Sequence, residues 1–252
     1  MRVSNHQMGT EAWAQAVFGS NPARELKGPS RWTQAHGYNS PLLGPLQVQG
    51  RNEFCSALAI EYLMNLGFIK HAKPQPFQTT IEEFGRQICP DFLIQVPSLT
   101  EIRLCVIETK AHRFISPAKQ WELDDLRAKF AEKNIAYIVW TDASPLSHPV
   151  RQHLMHMRMS SNAQVSTTEI RELLDWVDTK GRGATVGKLP TDSTFDRDTI
   201  YAAAWQGLVH FPLTKPLTLD TVIAPTEQDN IIGMFLGDNK SADAWWSMLT
   251  NY

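Results

Sequence analysis

At 252 residues, with 42% hydrophobic, 20% charged and 10% aromatic residues, the chain is an ordinary globular sequence, long enough for one elaborated domain or two modest ones. Its 24 Lys+Arg against 26 Asp+Glu give a formal charge of −2, which excludes coating of nucleic acid by bulk charge and leaves a local basic surface open. Three cysteines, Cys55, Cys89 and Cys105, are too few and scattered for a disulfide framework or a Cys-pair zinc site, and read as small buried or half-buried thiols in a reducing compartment.

The opening MRVSNHQMGTEAWAQ has no apolar signal core, and no stretch approaches the roughly 18 uncharged apolar residues of a membrane span, so a cytoplasmic, non-membrane protein is expected. Residues 1–50 are rich in Gly, Pro, Ser and Asn without a sustained period, and read as an irregular arm. From Arg51 to Leu66 the apolar residues Phe54, Leu58, Tyr62 and Leu66 recur every four positions, and Gly67 supplies a stop, which predicts an amphipathic helix. PDFLIQV, from Pro90, alternates Phe92, Ile94 and Val96 against Asp91, Leu93 and Gln95, the pattern of a strand. The run IRLCVIETK reads as a second strand in a buried central position.

Ser116 and Pro117 then provide an N-cap and a first-turn proline for a helix to about Lys133, with Trp121, Leu126 and Phe130 expected inward. The strand AYIVWTD follows, and the order helix, strand, strand, helix, strand indicates an α/β domain with a mixed sheet. Beyond HPVRQHLMHMRM, a capping box from Ser166 to Glu169 opens a helix carrying Ile170, Leu173, Leu174 and Val177. A Gly-containing loop, Lys180 to Thr191, leads to a helix at about Asp196 to Gln206 that stops at Gly207. LVHFPLTKPLTLDTVI reads as two short strands, so this half suggests a winged-helix-like module.

The chemistry concentrates at Pro90-Asp91 and, 17 residues after Asp91, at Glu108-Thr109-Lys110, with Glu53 on the preceding helix. Residues two apart in a strand point the same way, so Glu108 and Lys110 project together near the strand end, where Asp91 can meet them. Converging carboxylates make an all-oxygen site for a hard divalent cation such as Mg²⁺. Phosphodiester hydrolysis gives each group a task, with metal-assisted attack by water and a lysine that orients water or adds positive charge. The plainer alternative is that Asp91 caps a strand while Glu108 and Lys110 form a solvated pair, and a short PD…ExK pattern is open to both readings.

The order of elements resembles the core of PD-(D/E)xK nucleases, with PD at Pro90-Asp91 and ExK at Glu108-Thr109-Lys110. The flank GPSRWTQAHGYNSPLLGPLQVQGRNEFCSALAIEYL and the pair Gln75-Pro76 look like the TnsA family, the endonuclease subunit of heteromeric cut-and-paste transposases. In that family an arm precedes a helix with two glutamates eight apart, here Glu53 and Glu61, and TIYAAAWQGLVHFPLTKPLT is similar to its small winged-helix-like domain. The resemblance implies an arm and restriction-endonuclease-like core over residues 1–148 and a winged-helix-like, partner-binding domain with a tail over 149–252.

It further implies that Glu53, Asp91 and Glu108 hold one or two Mg²⁺ ions, replaceable by Mn²⁺, and that Lys110 is the catalytic lysine. The implied reaction is cleavage of the 5′ strands at transposon ends, with a TnsB-type DDE transposase cutting the 3′ strands and a TnsC-type AAA+ protein as regulator. Some family members carry Gln where this chain has Glu108, which places it nearer the general nuclease pattern. A free-standing restriction or repair nuclease and a non-catalytic protein on a nuclease fold remain the rival readings.

Glu61 lies about 80° around an ideal helix from Glu53 and roughly 12 Å along its axis, so only one of them can reach a common metal. The resemblance favours Glu53 and leaves Glu61 as a solvated or ion-paired surface residue. Lys119 and Gln120 either approach DNA phosphate or form a solvated helix face. His153 and His156 lack an acidic partner at ligand spacing and read as surface or DNA-facing residues, while Trp205, Trp245 and Trp246 read as core or interface. The tail after Thr226, ending SADAWWSMLTNY, either docks a partner or packs on its own domain.

Overall fold

A computed structural model of the chain describes residues 7–24, 35–81, 86–98, 101–162, 165–225 and 231–237. A short helix α1 (Glu11–Phe18) and a hairpin β1 (Ala35–Ser40) and β2 (Gly44–Gln49) precede the long helix α2 (Gly50–Asn65). Then come β3 (His71–Pro74), the small pair β4 (Thr79–Ile81) and β5 (Arg86–Ile88), and the strands β6 (Phe92–Val96) and β7 (Arg103–Lys110). Helix α3 (Pro117–Ala131), strand β8 (Ile135–Thr141) and helices α4 (His148–Asn162), α5 (Thr167–Lys180), α6 (Arg197–Trp205) and α7 (Ile231–Leu236) complete the described α-helices and strands.

The main sheet has the order β3-β6-β7-β8, antiparallel between β3, β6 and β7 and parallel between β7 and β8. The protein is therefore mixed α/β with a mixed sheet. Strand β7 is central and apolar on both sides because both sides are covered. Leu104 and Val106 join an apolar cluster with Trp13 of α1 and Leu123, Leu126 and Phe130 of α3. Cys105 and Ile107 join a second cluster on the other side, with Leu58 of α2, Leu154 of α4 and Ile200 of α6. Leu93, expected on a polar face of β6, is fully buried on the α1 and α3 side for the same reason.

The arm is less irregular than expected. Thr10 caps α1 with its hydroxyl, but the helix has only eight residues and buries Trp13, Ala14 and Val17, too few to show a period. The β1–β2 hairpin buries Leu46 and Val48 and leads directly into α2. Helix α2 ends as expected, with Gly67 at φ +77° and its N–H donating to the Met64 carbonyl at 3.0 Å. In α3, Ser116 accepts from the Lys119 N–H at 3.2 Å and Pro117 opens the first turn. Trp121, expected inward, is 68% exposed, while Leu123 is 1% exposed. Two residues are about 200° apart around a helix, so the inward row Leu123, Leu126 and Phe130 places Trp121 on the opposite face.

The Ser166–Glu169 capping box forms, and a second box joins Asp196 to Thr199 at the start of α6. Gly207 has φ +73°, and a β-carbon there would stand 2.5 Å from Leu66 Cδ2, so the turn after α6 presses on the end of α2. The two strands expected beyond it are reduced to single bridges, His210 with Ala224 and Thr185 with Val222. Pro212, Pro216 and Pro225 interrupt that segment and carry no N–H for a ladder. Helix α7 returns to β8, where Trp140 Nε1 donates to the Phe235 carbonyl at 2.8 Å and the two rings lie 5.5 Å apart. One apolar cluster thus runs across residue 148, from Leu58 and Trp140 to Leu154, Ile200 and Phe235. No helix among the described residues is long and apolar enough to cross a membrane.

The two faces of α3 give an expectation for stability. Leu123→Ala should cost about 2–5 kcal/mol in urea unfolding, whereas Trp121→Ala should stay within about 0.5 kcal/mol of wild type; equal losses would overturn the assignment of faces.

Candidate active site

Asp91 immediately precedes β6, and its Oδ2 accepts the Thr109 N–H of β7 at 2.7 Å. Its own carbonyl accepts the Gln75 N–H at 2.8 Å. These bonds set Asp91 beside Glu108 and Lys110, which lie on one face at the end of β7, with Lys110 Nζ donating to Glu108. Glu53 belongs to the first turn of α2 and accepts the Gln49 N–H at 2.6 Å, satisfying a donor that the helix start leaves open. Two contacts bring that turn to β7: the Ser56 and Thr109 hydroxyls pair at 2.8 Å, and Asn52 Nδ2 donates to the Lys110 carbonyl at 3.3 Å. Ser56, Asn52, Thr109 and Gln75 carry no catalytic pattern of their own, and the sequence named only Thr109, as the middle residue of Glu108-Thr109-Lys110, and Gln75, as half of Gln75-Pro76.

The four motif residues act on one another electrically. Burial raises Asp91 well above the usual carboxylate range, Glu108 and Glu53 add to the rise, and Lys110 and the Thr109 N–H oppose it. Burial also raises Glu53, against the Gln49 N–H, Arg24 and Lys110. For Lys110 burial pulls downward, but Glu108, Asp91 and Glu53 together hold it above the ordinary lysine value. The sequence motif is therefore a single partly buried cluster. Cys89, beside it, is pushed by burial up to about 11, so it is a neutral thiol near pH 7 and no thiolate nucleophile.

Other candidates fall elsewhere. Glu61 is ion-paired but not on the surface: it is 2% exposed, takes the Tyr38 hydroxyl as donor and lies 3.2 Å from Arg158 Nε. Its position in the middle of α2, between β1 and α4, removes it from water. Lys119 and Gln120 engage Glu122 and Asp124 of their own helix, each at 2.9 Å. His153 is also inside rather than on the surface, with Nε2 2.7 Å from the Lys215 carbonyl and its ring against Phe211. His156 stacks on Tyr201, and Trp205 stacks on Tyr62 within the core. Trp245, Trp246 and the rest of the tail beyond 237 lie outside the described residues.

No protein-family model matches the chain, and no curated protein matches it either.

Among the described residues no three His, Cys, Asp or Glu side chains stand arranged to hold a metal ion. One oxygen of each carboxylate accepts a donor of the protein's own: Gln49 on Glu53, Thr109 on Asp91, Lys110 on Glu108. The chemistry of the set nonetheless fits a hard dication. All three groups are carboxylates, and the raised values of Asp91 and Glu53 record burial and repulsion that a positive ion would relieve.

A carboxyl whose pKa is higher in the folded state binds its proton more tightly there. Its contribution favours folding below the unfolded value, about 4, and is lost as the pH rises through the folded value. In a chelator, the melting temperature of wild type should therefore fall relative to that of Asp91→Asn as the pH rises from about 4 toward neutrality. Mg²⁺ should raise the neutral-pH melting temperature of wild type and not of Asp91→Asn; identical pH profiles would remove the buried charge of Asp91 from the account. Glu61→Ala strands the Arg158 guanidinium, 12% exposed, and should cost about 3–5 kcal/mol in urea unfolding without changing the metal response.

Proposed function

We propose that this chain is a metal-dependent DNA endonuclease of the PD-(D/E)xK type that resembles TnsA and cleaves the 5′ strands at the ends of a transposon. The observation that carries the reading is the convergence of Glu53, Asp91, Glu108 and Lys110 at the meeting point of α2, β6 and β7, held by the Asp91–Thr109, Lys110–Glu108, Ser56–Thr109 and Asn52–Lys110 hydrogen bonds. A simple strand cap with a solvated ion pair would not need three carboxylates and a lysine in one partly buried cluster. Glu53, Asp91 and Glu108 are the residues to hold one or two Mg²⁺ ions, with Mn²⁺ able to substitute. The ion supplies positive charge against the scissile phosphate and makes water a better nucleophile.

The chain's own groups do the rest. Lys110, held above its ordinary value, remains an ammonium at neutral pH; once freed from Glu108 it orients the attacking water or neutralises a phosphate oxygen. Asp91 keeps its position through Thr109 and Gln75 while its other oxygen remains to face the reaction. Residues 149–252 are read as the winged-helix-like, partner-binding part, acting with a TnsB-type DDE transposase and a TnsC-type AAA+ regulator. The near-neutral charge supports a subunit that draws DNA affinity from those partners.

Strand-resolved cleavage of end-containing DNA in Mg²⁺ tests this, with the protein alone and with its genomic-neighbour transposase. Partner-dependent 5′ nicking should fall at least about 100-fold in Glu108→Ala and Asp91→Ala. Robust cleavage by the protein alone would replace the transposition reading with a stand-alone nuclease, and no cleavage in either setting would leave a binding role.

A further inference from the structure

Next to the carboxylates lies a cavity of ≈ 890 Å³ whose polar walls are Asn21, Arg24, Tyr38, Asn39, Gln47 and Gln75. Its walls are built by the segments that position the site. The β1–β2 hairpin supplies Tyr38, Asn39 and Gln47 and runs into α2, where Glu53 sits one turn later. Gln75 holds the Asp91 carbonyl through its N–H, and its own carbonyl accepts the Ala23 N–H at 2.8 Å, which ties the Arg24 segment to the start of β6. Gln75 makes these two bonds at φ +44°, a conformation that a side chain other than glycine's rarely adopts and that clusters at functional sites.

Arg24 is the group that calls for a ligand. Its charge reaches Glu53 and Cys89, so it stands at the border of cavity and carboxylates. Its Nε is buried and has no hydrogen-bond partner among the described residues, although guanidinium donors removed from water are normally satisfied. Glu53 feels its charge but is not hydrogen-bonded to it among the described residues, and accepts the Gln49 N–H through Oε2. A planar cationic fork with an open donor matches a phosphate, and side-chain amides match the donors and acceptors of a base or sugar. The volume falls in the range of about 300–1,000 Å³ typical of small-molecule sites and admits a nucleotide.

We infer that this cavity seats one nucleotide of the cleaved strand next to the scissile phosphate, with Arg24 on that nucleotide's own phosphate and Asn39, Gln47 and Gln75 facing its base and sugar. The inference rests on the nuclease reading and adds to it the residues that fix where along the strand the cut falls.

The test uses the full chain in whichever setting cleaves, alone or with its transposase, on end DNA in which single phosphates around the nick are replaced one at a time by uncharged methylphosphonate. Wild type should lose apparent affinity at one flanking position. Arg24→Gln should raise KM on unmodified DNA at least about tenfold and be indifferent to the replacement at that same position. Arg24→Gln that stays as sensitive as wild type at every phosphate overturns the inference. So does a shift confined to the Mg²⁺ requirement and pH profile, which would make Arg24 a counter-ion of Glu53 alone. If Arg24→Gln does not fold, Asn39→Ala and Gln47→Ala decide: a raised KM with the phosphate sensitivity retained supports the seat, and an unchanged KM refutes it. Absence of Mg²⁺-dependent cleavage by wild type in both settings fells the nuclease reading and this inference together, whereas wild-type cleavage with unaltered variants fells the inference alone.

Discussion

Asp91 accepts the Thr109 N–H with its carboxylate and the Gln75 N–H with its carbonyl, and these two bonds join β6, β7 and the turn after β3 at one point. The constraint is electrostatic as well as geometric. A carboxylate at this depth favours its protonated form, and Glu108 and Glu53 push it further that way, while Lys110 is the internal charge that opposes them. In water such repulsion would be screened; here the sheet and α2 cover the cluster in part, so the charges are screened less. The result is a cluster that holds its shape through hydrogen bonds and sets three carboxyl groups against one lysine.

Helix α2 translates that local arrangement to the rest of the molecule. Its first turns meet β7 through Ser56 and Asn52, while its middle meets β1 and α4 through the buried Glu61, Tyr38 and Arg158. Between these polar attachments the run from Cys55 to Leu63 is buried, so the helix has little freedom to slide. Arg151 of α4 also reaches Asn52, with Nη1 3.4 Å from its Oδ1, so the helices beyond residue 148 press on the element that carries Glu53. That half shares one apolar cluster with the site helix.

Two kinds of burial mislead a reading by pattern. Trp121 is large and apolar yet exposed, because α3 packs on the sheet through Leu123, Leu126 and Phe130 and turns its opposite face outward. His153 and Glu61 are polar yet inside, because each finds a partner there: the Lys215 carbonyl for the histidine, and Tyr38 with Arg158 for the glutamate. Those partners stand 62 positions from His153, and 23 and 97 from Glu61, so nothing local announces them. The arm hid α1 and the hairpin for a related reason, since elements this short are held by what they pack on rather than by their own periodicity.

By itself the sequence determined the elements whose signals are local: the repeat of four and Gly67 that make and end α2, the caps at Ser116 and Ser166, and the apolar run of β7. It also brought Glu108 next to Lys110, because alternation along a strand is a covalent fact of the backbone. The tertiary structure alone decided that Asp91 and Glu53 join that pair, that Thr109, Ser56, Asn52 and Gln75 hold them there, and that Arg24 faces a cavity beside them. Those relations depend on sheet order and on which face of α2 meets β7, and both are fixed by packing between residues far apart in the chain.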